Sequence, residues 1–204
     1  MKNIAVFASG GGTDFQSVID ANEQENFCLI KYLVASKPNI GAIERAKKHG
    51  IDVLVFDKEQ ETQDAFYARV AATLKGAGVE LIVLAGWLKV VPASFIEQFK
   101  DAIINIHPSL IPAFCGMGYY GLKVHSAAIE YGVKVSGATV HFVEADVDGG
   151  AIIMQRAVPV LDGDTPESLQ ARILKEEHQM LPLCVKLISQ GKVQKSGRTV
   201  RIEQ

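Results

Sequence analysis

The segment IINIHPSLIP holds the residues best suited to chemistry. Asn105 and His107 stand two apart, so on an extended strand they share a face. Pro108 has no N–H to give to a sheet ladder and is expected to end that strand. A later acidic turn, EADVDGG, contains Asp148. Each feature has a plain reading when taken alone: His107 as a strand cap satisfied by backbone, and Asp148-Gly149-Gly150 as an ordinary turn. An amide, an imidazole and a loop carboxylate near one strand end together favour catalysis. There is no G-x-S-x-G elbow, no H-E-x-x-H and no paired cysteine site, so an enzyme-borne nucleophile or a common zinc centre is not expected. His125 and His141 are 16 apart, and neither has ligand spacing with His107. No metal is expected, and His141 reads as a strand histidine packed near the site. What remains is a reaction whose substrate brings its own nucleophile, such as an amine. Asn105 and His107 would donate to the developing oxyanion, where one donor is typically worth about 3 kcal/mol. Asp148 would orient His107 and raise its pKa above about 6.5.

A second candidate is Ser9-Gly10-Gly11-Gly12-Thr13-Asp14. Glycines between a strand and a helix let backbone N–H groups meet an anion at the helix N-terminus. Gly11, Gly12, Thr13 and Asp14 are therefore candidate phosphate binders; the competing reading is a tight turn and nothing more. The dinucleotide fingerprint fails because Phe15 stands at its last position, and no Gly-Lys-Ser/Thr completes a nucleotide P-loop. A single phosphomonoester fits better than NAD or ATP. Asp14 would repel phosphate unless it points away or caps the helix. Gly116, Gly118 and Gly121 also spell G-x-G-x-x-G, but no strand runs into them, so they read as loop glycines.

These residues need a frame. Apolar runs at 3–8, 29–35, 52–56, 80–85 and 102–106 read as strands buried on both faces. Helical patterns at 14–25, 41–49 and 62–75 alternate with them. The spacing predicts a loop over 107–121, a helix over 122–131, and strands over 135–143 and 151–160. Thr165 and Pro166 suit the N-cap and first turn of a long helix to about residue 189, with a break or kink at Pro182. The tail reads as a hairpin turning at Ser196-Gly197. Alternating strands and helices predict a doubly wound, mostly parallel α/β sheet flanked by helices, Rossmann-like and a single domain. In such sheets ligands lie beyond the carboxyl ends of the strands, which is where residues 9–14, 105–109 and 144–150 fall.

The chain has 204 residues and a formal charge of −2, which argues against a global grip on nucleic acid. Its three cysteines are too few and too scattered for a disulfide scaffold. No apolar run approaches the roughly 18 residues of a membrane span, and the N-terminus lacks a signal-peptide pattern. A cytoplasmic protein without a membrane partner is expected.

SGGGTDFQS, LAGWLKVV, NIHPSLIPAF, SGATVHFVEADVDGGAIIMQ and EEHQMLP together resemble the phosphoribosylglycinamide formyltransferase family, of the folate-dependent formyltransferase superfamily. The resemblance spans residues 3 to about 190. It implies formyl transfer from 10-formyltetrahydrofolate to the amine of glycinamide ribonucleotide, with Asn105, His107 and Asp148 catalytic and His141 near them. It implies phosphate contacts at Gly11, Gly12, Thr13 and Asp14, and a ribose contact at Glu177. Folate contacts fall on Lys89, Val90, Val91, Glu144 and Asp148. It further implies a phosphate-binding half over about 1–100, a catalytic and folate-binding half over about 101–190, a tail hairpin over 191–204, and a monomer or homodimer. Thr13-Asp14, Lys89, Leu174 and the 115–121 loop depart from the common family pattern. The alternatives are a formyltetrahydrofolate deformylase-like hydrolase, expected to carry an extra N-terminal domain, and a non-catalytic phosphate-binding module.

Overall fold

The computed structural model describes residues 1–203. Two compact units divide the chain between Ile104 and Asn105.

The first unit begins with β1 (Lys2–Ala8), α1 (Thr13–Glu25), β2 (Cys28–Ala35) and α2 (Gly41–Lys48). It continues with β3 (Asp52–Val55), α3 (Gln63–Gly76), β4 (Leu81–Leu84) and α4 (Ala93–Gln98). β1 pairs in parallel with β2 and β4, and β2 with β3. Ile4 to Ala8 are fully buried, as expected for a strand covered on both faces. Phe7 stacks edge-on to Trp87 and Phe95, with ring centroids 5.1 and 5.9 Å apart. Burying each such side chain stabilises the fold by about 1.5–3 kcal/mol. Thr62 caps α3 by accepting the Ala65 N–H at 3.2 Å. The six-residue α4 was not expected: it is under two turns long and shows no helical period.

β5 (Ile103–His107) crosses the boundary between the units. The second unit then adds α5 (Leu122–Tyr131), β6 (Val135–Phe142), β7 (Ile152–Pro159) and α6 (Pro166–Ser189), and ends in β8 (Val193–Ser196) and β9 (Thr199–Ile202). β6 and β7 are antiparallel, as are β8 and β9. The sheet order is β3-β2-β1-β4-β5-β6-β7, the mostly parallel α/β architecture expected. Thr165 and Ser168 form a reciprocal capping box at the start of α6, with bonds of 3.2 and 2.9 Å. α6 reaches Ser189 as expected, and of the two expectations at Pro182 the break does not occur: the helix continues through it. Leu169, Ile173, Met180, Leu181, Cys184 and Val185 are buried along it, and that packing outweighs the one backbone hydrogen bond that Pro182 cannot donate. The tail hairpin turns at residues 197–198, one position later than expected.

Candidate active site

β5 delivers Asn105 and His107 to its carboxyl end, and the turn after β6 delivers Asp148. His107 Nδ1 lies 3.6 Å from Asp148 Oδ2. The other carboxylate oxygen, Oδ1, lies 3.6 Å from His141 Nε2. His141 Nε2 is in turn 3.1 Å from Asn105 Nδ2. The three expected catalytic residues and the expected neighbour thus form one cluster.

The hydrogen bonds assign the protons. His107 Nε2 is 3.0 Å from the Phe114 carbonyl, which can only accept, so Nε2 carries hydrogen. In the neutral ring, Nδ1 then presents its lone pair. His141 Nδ1 is 2.8 Å from the Phe142 carbonyl and must donate there. Its Nε2 accepts from Asn105, which keeps a second N–H to offer. Asp148 Oδ2 accepts the Gly116 N–H at 2.8 Å. One short stretch, residues 114–116, therefore holds both members of the His–Asp pair through backbone groups.

The electrostatics correct one expectation. Burial lowers the His107 pKa below its ordinary value, and the nearby Asp148 charge, which raises it, does not win. His107 is neutral at rest, not imidazolium, because desolvation of a buried ring exceeds the attraction of a carboxylate 3.6 Å away. Burial pushes Asp148 upward, but the facing His141 and His107 rings and the Gly116 N–H together hold it below the usual carboxylate range. Asp148 is thus ionised. His125, buried on α5, is drawn down to about 4 by burial and then by His107.

The turn carrying Asp148 is tight. Asp148 itself has φ 57°, uncommon for a residue with a side chain. A Cβ at Gly150 would sit 1.7 Å from the Phe142 carbonyl oxygen. That glycine is required for close backbone approach, which an ordinary turn would not demand.

In the first unit, the glycine loop packs on the start of α2. The Ala42 N–H donates to the Gly10 carbonyl at 3.1 Å. Arg45 Nε donates to the Gly11 carbonyl at 2.8 Å, and its Nη1 to Gln16 at 3.0 Å. Gly12 has φ 73°, and a Cβ there would lie 2.7 Å from Ala42 Cβ. Its tight-turn role is real. Gly10 and Gly11 face open space. Gly12 is also the N-cap of α1, and no side chain caps that helix. Asp14 therefore does not cap it; burial pushes its carboxyl up to about 6.

A formyl transferase family model matches residues 2–185. The chain belongs to the formyl transferase family. It is 42% identical over 194 residues to the chloroplastic phosphoribosylglycinamide formyltransferase of Vigna unguiculata, covering 94% of this chain and 62% of that relative. It therefore spans less than two thirds of that plant protein's length. It is 38% identical over 199 residues to the phosphoribosylglycinamide formyltransferase of Haemophilus influenzae, covering 95% of this chain and 90% of the relative. The crystal structure of glycinamide ribonucleotide transformylase 1 from Symbiobacterium toebii superimposes with a TM-score of 0.92 at 41% identity, over 100% of this chain and 95% of that one.

The other residues expected to make contacts are spread over both units. Lys89 lies over the Phe56 ring, 4.6 Å from its centroid. Val90 is 53% exposed, while its carbonyl accepts from Tyr67 at 3.3 Å; Val91 is half-buried. Glu144 pairs with Lys195 at 2.9 Å. Glu177 is buried on α6. Sequence reasoning missed Phe114, Gly116 and Arg45. The first two act through backbone atoms and have no residue-type signature; Arg45, four residues into the helix after β2, could have been noted as a cation. Among the described residues, no group of three or more His, Cys, Asp or Glu side chains is arranged to hold a metal. No helix among them is long and apolar enough to cross a membrane.

Proposed function

We propose that this formyl transferase moves the formyl group of 10-formyltetrahydrofolate onto the amine of glycinamide ribonucleotide, giving formylglycinamide ribonucleotide and tetrahydrofolate in purine biosynthesis. The observation that carries the reading is a neutral His107 whose unprotonated Nδ1 faces an ionised Asp148. The relatives named above support the choice of substrates.

The amine nitrogen bonds to the formyl carbon, and charge gathers on the formyl oxygen. The spare Asn105 N–H donates to that oxygen. His107 Nδ1 takes the proton released by the amine, and the imidazolium formed is stabilised by Asp148. As the bond from carbon to the folate nitrogen breaks, His107 returns the proton to that nitrogen. His141, donating to Phe142, turns Asn105 so that one N–H stays free for the substrate.

Gly11, Gly12, Thr13 and Asp14 receive the ribonucleotide phosphate at the uncapped start of α1. Arg45 brings a positive charge to this loop, and Asp14, already near 6, takes up a proton as the dianion arrives. Glu177 serves the ribose; Lys89, Val90, Val91, Glu144 and Asp148 serve the folate. On this reading residues 1–100 form the phosphate half and 101–190 the catalytic half of a cytoplasmic enzyme.

The deciding assay follows 10-formyltetrahydrofolate consumption with and without glycinamide ribonucleotide. Turnover only with the amine supports transfer; turnover with water alone refutes it in favour of a deformylase. His107→Ala should slow transfer by at least about tenfold.

A further inference from the structure

We propose that the C-terminal hairpin β8–β9 is a positioning element for Asp148, acting through Lys195 and Arg198. This rests on the assignment of Asp148 to the reaction proposed above. The turn between Phe142 and Ile152 is gripped at both ends by that hairpin. At its start, Lys195 Nζ lies 2.9 Å from Glu144 Oε1 and 5.4 Å from the centroid of the Phe142 ring. At its end, Arg198 Nη1 donates to the Gly149 carbonyl at 2.9 Å, on the Gly149–Gly150 peptide unit, one residue beyond Asp148. The charges are complementary: residues 193–202 carry Lys195, Arg198 and Arg201 and no acid, while residues 144–150 carry Glu144, Asp146 and Asp148 and no base.

The turn needs such support. Asp148 holds φ 57°, a conformation that persists in a residue with a side chain only when its surroundings over-determine it. Its own restraints are the Gly149 N–H to the Asp146 carbonyl at 3.0 Å and the Phe142 N–H to the Ala151 carbonyl at 2.9 Å. These shape the turn but do not tie its outer edge to another element; Arg198 does. A carboxylate acting on an imidazole 3.6 Å away loses effect with small displacements, because site geometry must hold to about 0.5 Å. An isolated two-stranded hairpin is marginally stable in water, and here β9 packs against β7, which gives the brace a firm base.

The test compares Arg198→Ala, Lys195→Ala and Arg198→Lys with Arg201→Ala. Arg201 is exposed on β9 and has no hydrogen bond to the turn among the described residues, so its loss removes the same charge without releasing the turn. Arg198→Ala should lower kcat about tenfold while the ribonucleotide KM stays within about twofold. It should speed amide exchange at Gly116 and Gly149 about fivefold or more and leave the α6 core amides unchanged. Lys195→Ala should do the same more weakly, Arg198→Lys should recover most of the loss, and Arg201→Ala should match the parent protein. Unchanged exchange at Gly116 and Gly149 in Arg198→Ala overturns the proposal, whatever the activity. So does a kcat equal to that of an active parent protein. A parent protein that transfers no formyl group counts against the reaction assigned above, while the exchange measurement still decides whether the hairpin holds the turn.

Discussion

Replacing Asp148 with Asn isolates the charge from the geometry. Asn tolerates positive φ as Asp does, and its amide oxygen can still accept the Gly116 N–H. The change removes one negative charge 3.6 Å from His107 Nδ1. Coulomb's law at an effective dielectric of about 20 gives about 4–5 kcal/mol for that separation. The Asn dipole and local relaxation recover part of it, leaving about 2–4 kcal/mol of lost stabilisation for the imidazolium. That corresponds to a fall in kcat of about 30-fold to 1,000-fold. A second readout fixes the cause. In the parent protein His107 titrates below 6.5 because burial outweighs the Asp148 charge. Removing the charge removes an opposing upward influence, so His107 should titrate lower still. Carbon or nitrogen NMR of labelled histidine follows this directly, without interference from the substrate amine. Turnover within threefold of the parent, or a His107 titration that moves upward, would falsify the proposed proton transfer.

Asn105→Ala should reduce kcat by about 100-fold, the usual cost of one oxyanion donor, while His107 still titrates below 6.5; a loss confined to KM would count against the donor role. Gly12→Ala combines positive φ with a close contact to Ala42 and should cost about 2–4 kcal/mol in urea unfolding. Gly11→Ala, facing open space, should leave stability within about 0.5 kcal/mol yet weaken ribonucleotide binding, and unchanged affinity would remove the loop from the phosphate site. His125 has its pKa lowered from 6.5 to about 4 in the folded protein, so the folded state binds fewer protons than the unfolded one. Its contribution is intact above pH 6.5 and is lost as pH falls towards 4, by up to about 3 kcal/mol. His125→Leu should flatten that part of the stability profile, and an unaltered slope would show that other groups set it.

Much of the frame was legible because it rests on patterns that side chains announce. NIAVFA is apolar at nearly every position, and the strand it forms is buried on both faces. Thr165-Pro166 marks a helix start through a hydroxyl acceptor and a fixed φ, and α6 begins there. α4 was invisible because six residues do not complete two turns. The end of α6 near residue 189 was legible as well; its passage through Pro182 was not, because the penalty of a proline is local, whereas the packing that overrides it comes from residues spread along the helix. The cluster was legible as far as residue type and strand spacing reach: Asn105 and His107 by their two-residue interval, Asp148 by its glycine turn. The sign of the His107 shift was not, since it depends on how burial compares with one charge, and only coordinates supply the burial.

The least legible parts of the cluster are those that define its chemistry. The Phe114 carbonyl decides which nitrogen of His107 is bare, and the Gly116 amide helps keep Asp148 ionised. Every residue in a chain has a carbonyl and nearly every one an N–H, so neither leaves a trace in residue identity. By residue type Gly116 reads only as one of three loop glycines. A different side chain at 114 or 115 could preserve both contacts if the backbone path were kept. A single insertion between His107 and Gly116 would break both while leaving every recognised motif residue in place. For this site, then, the length and path of the 107–121 segment constrain the reaction more tightly than its composition does.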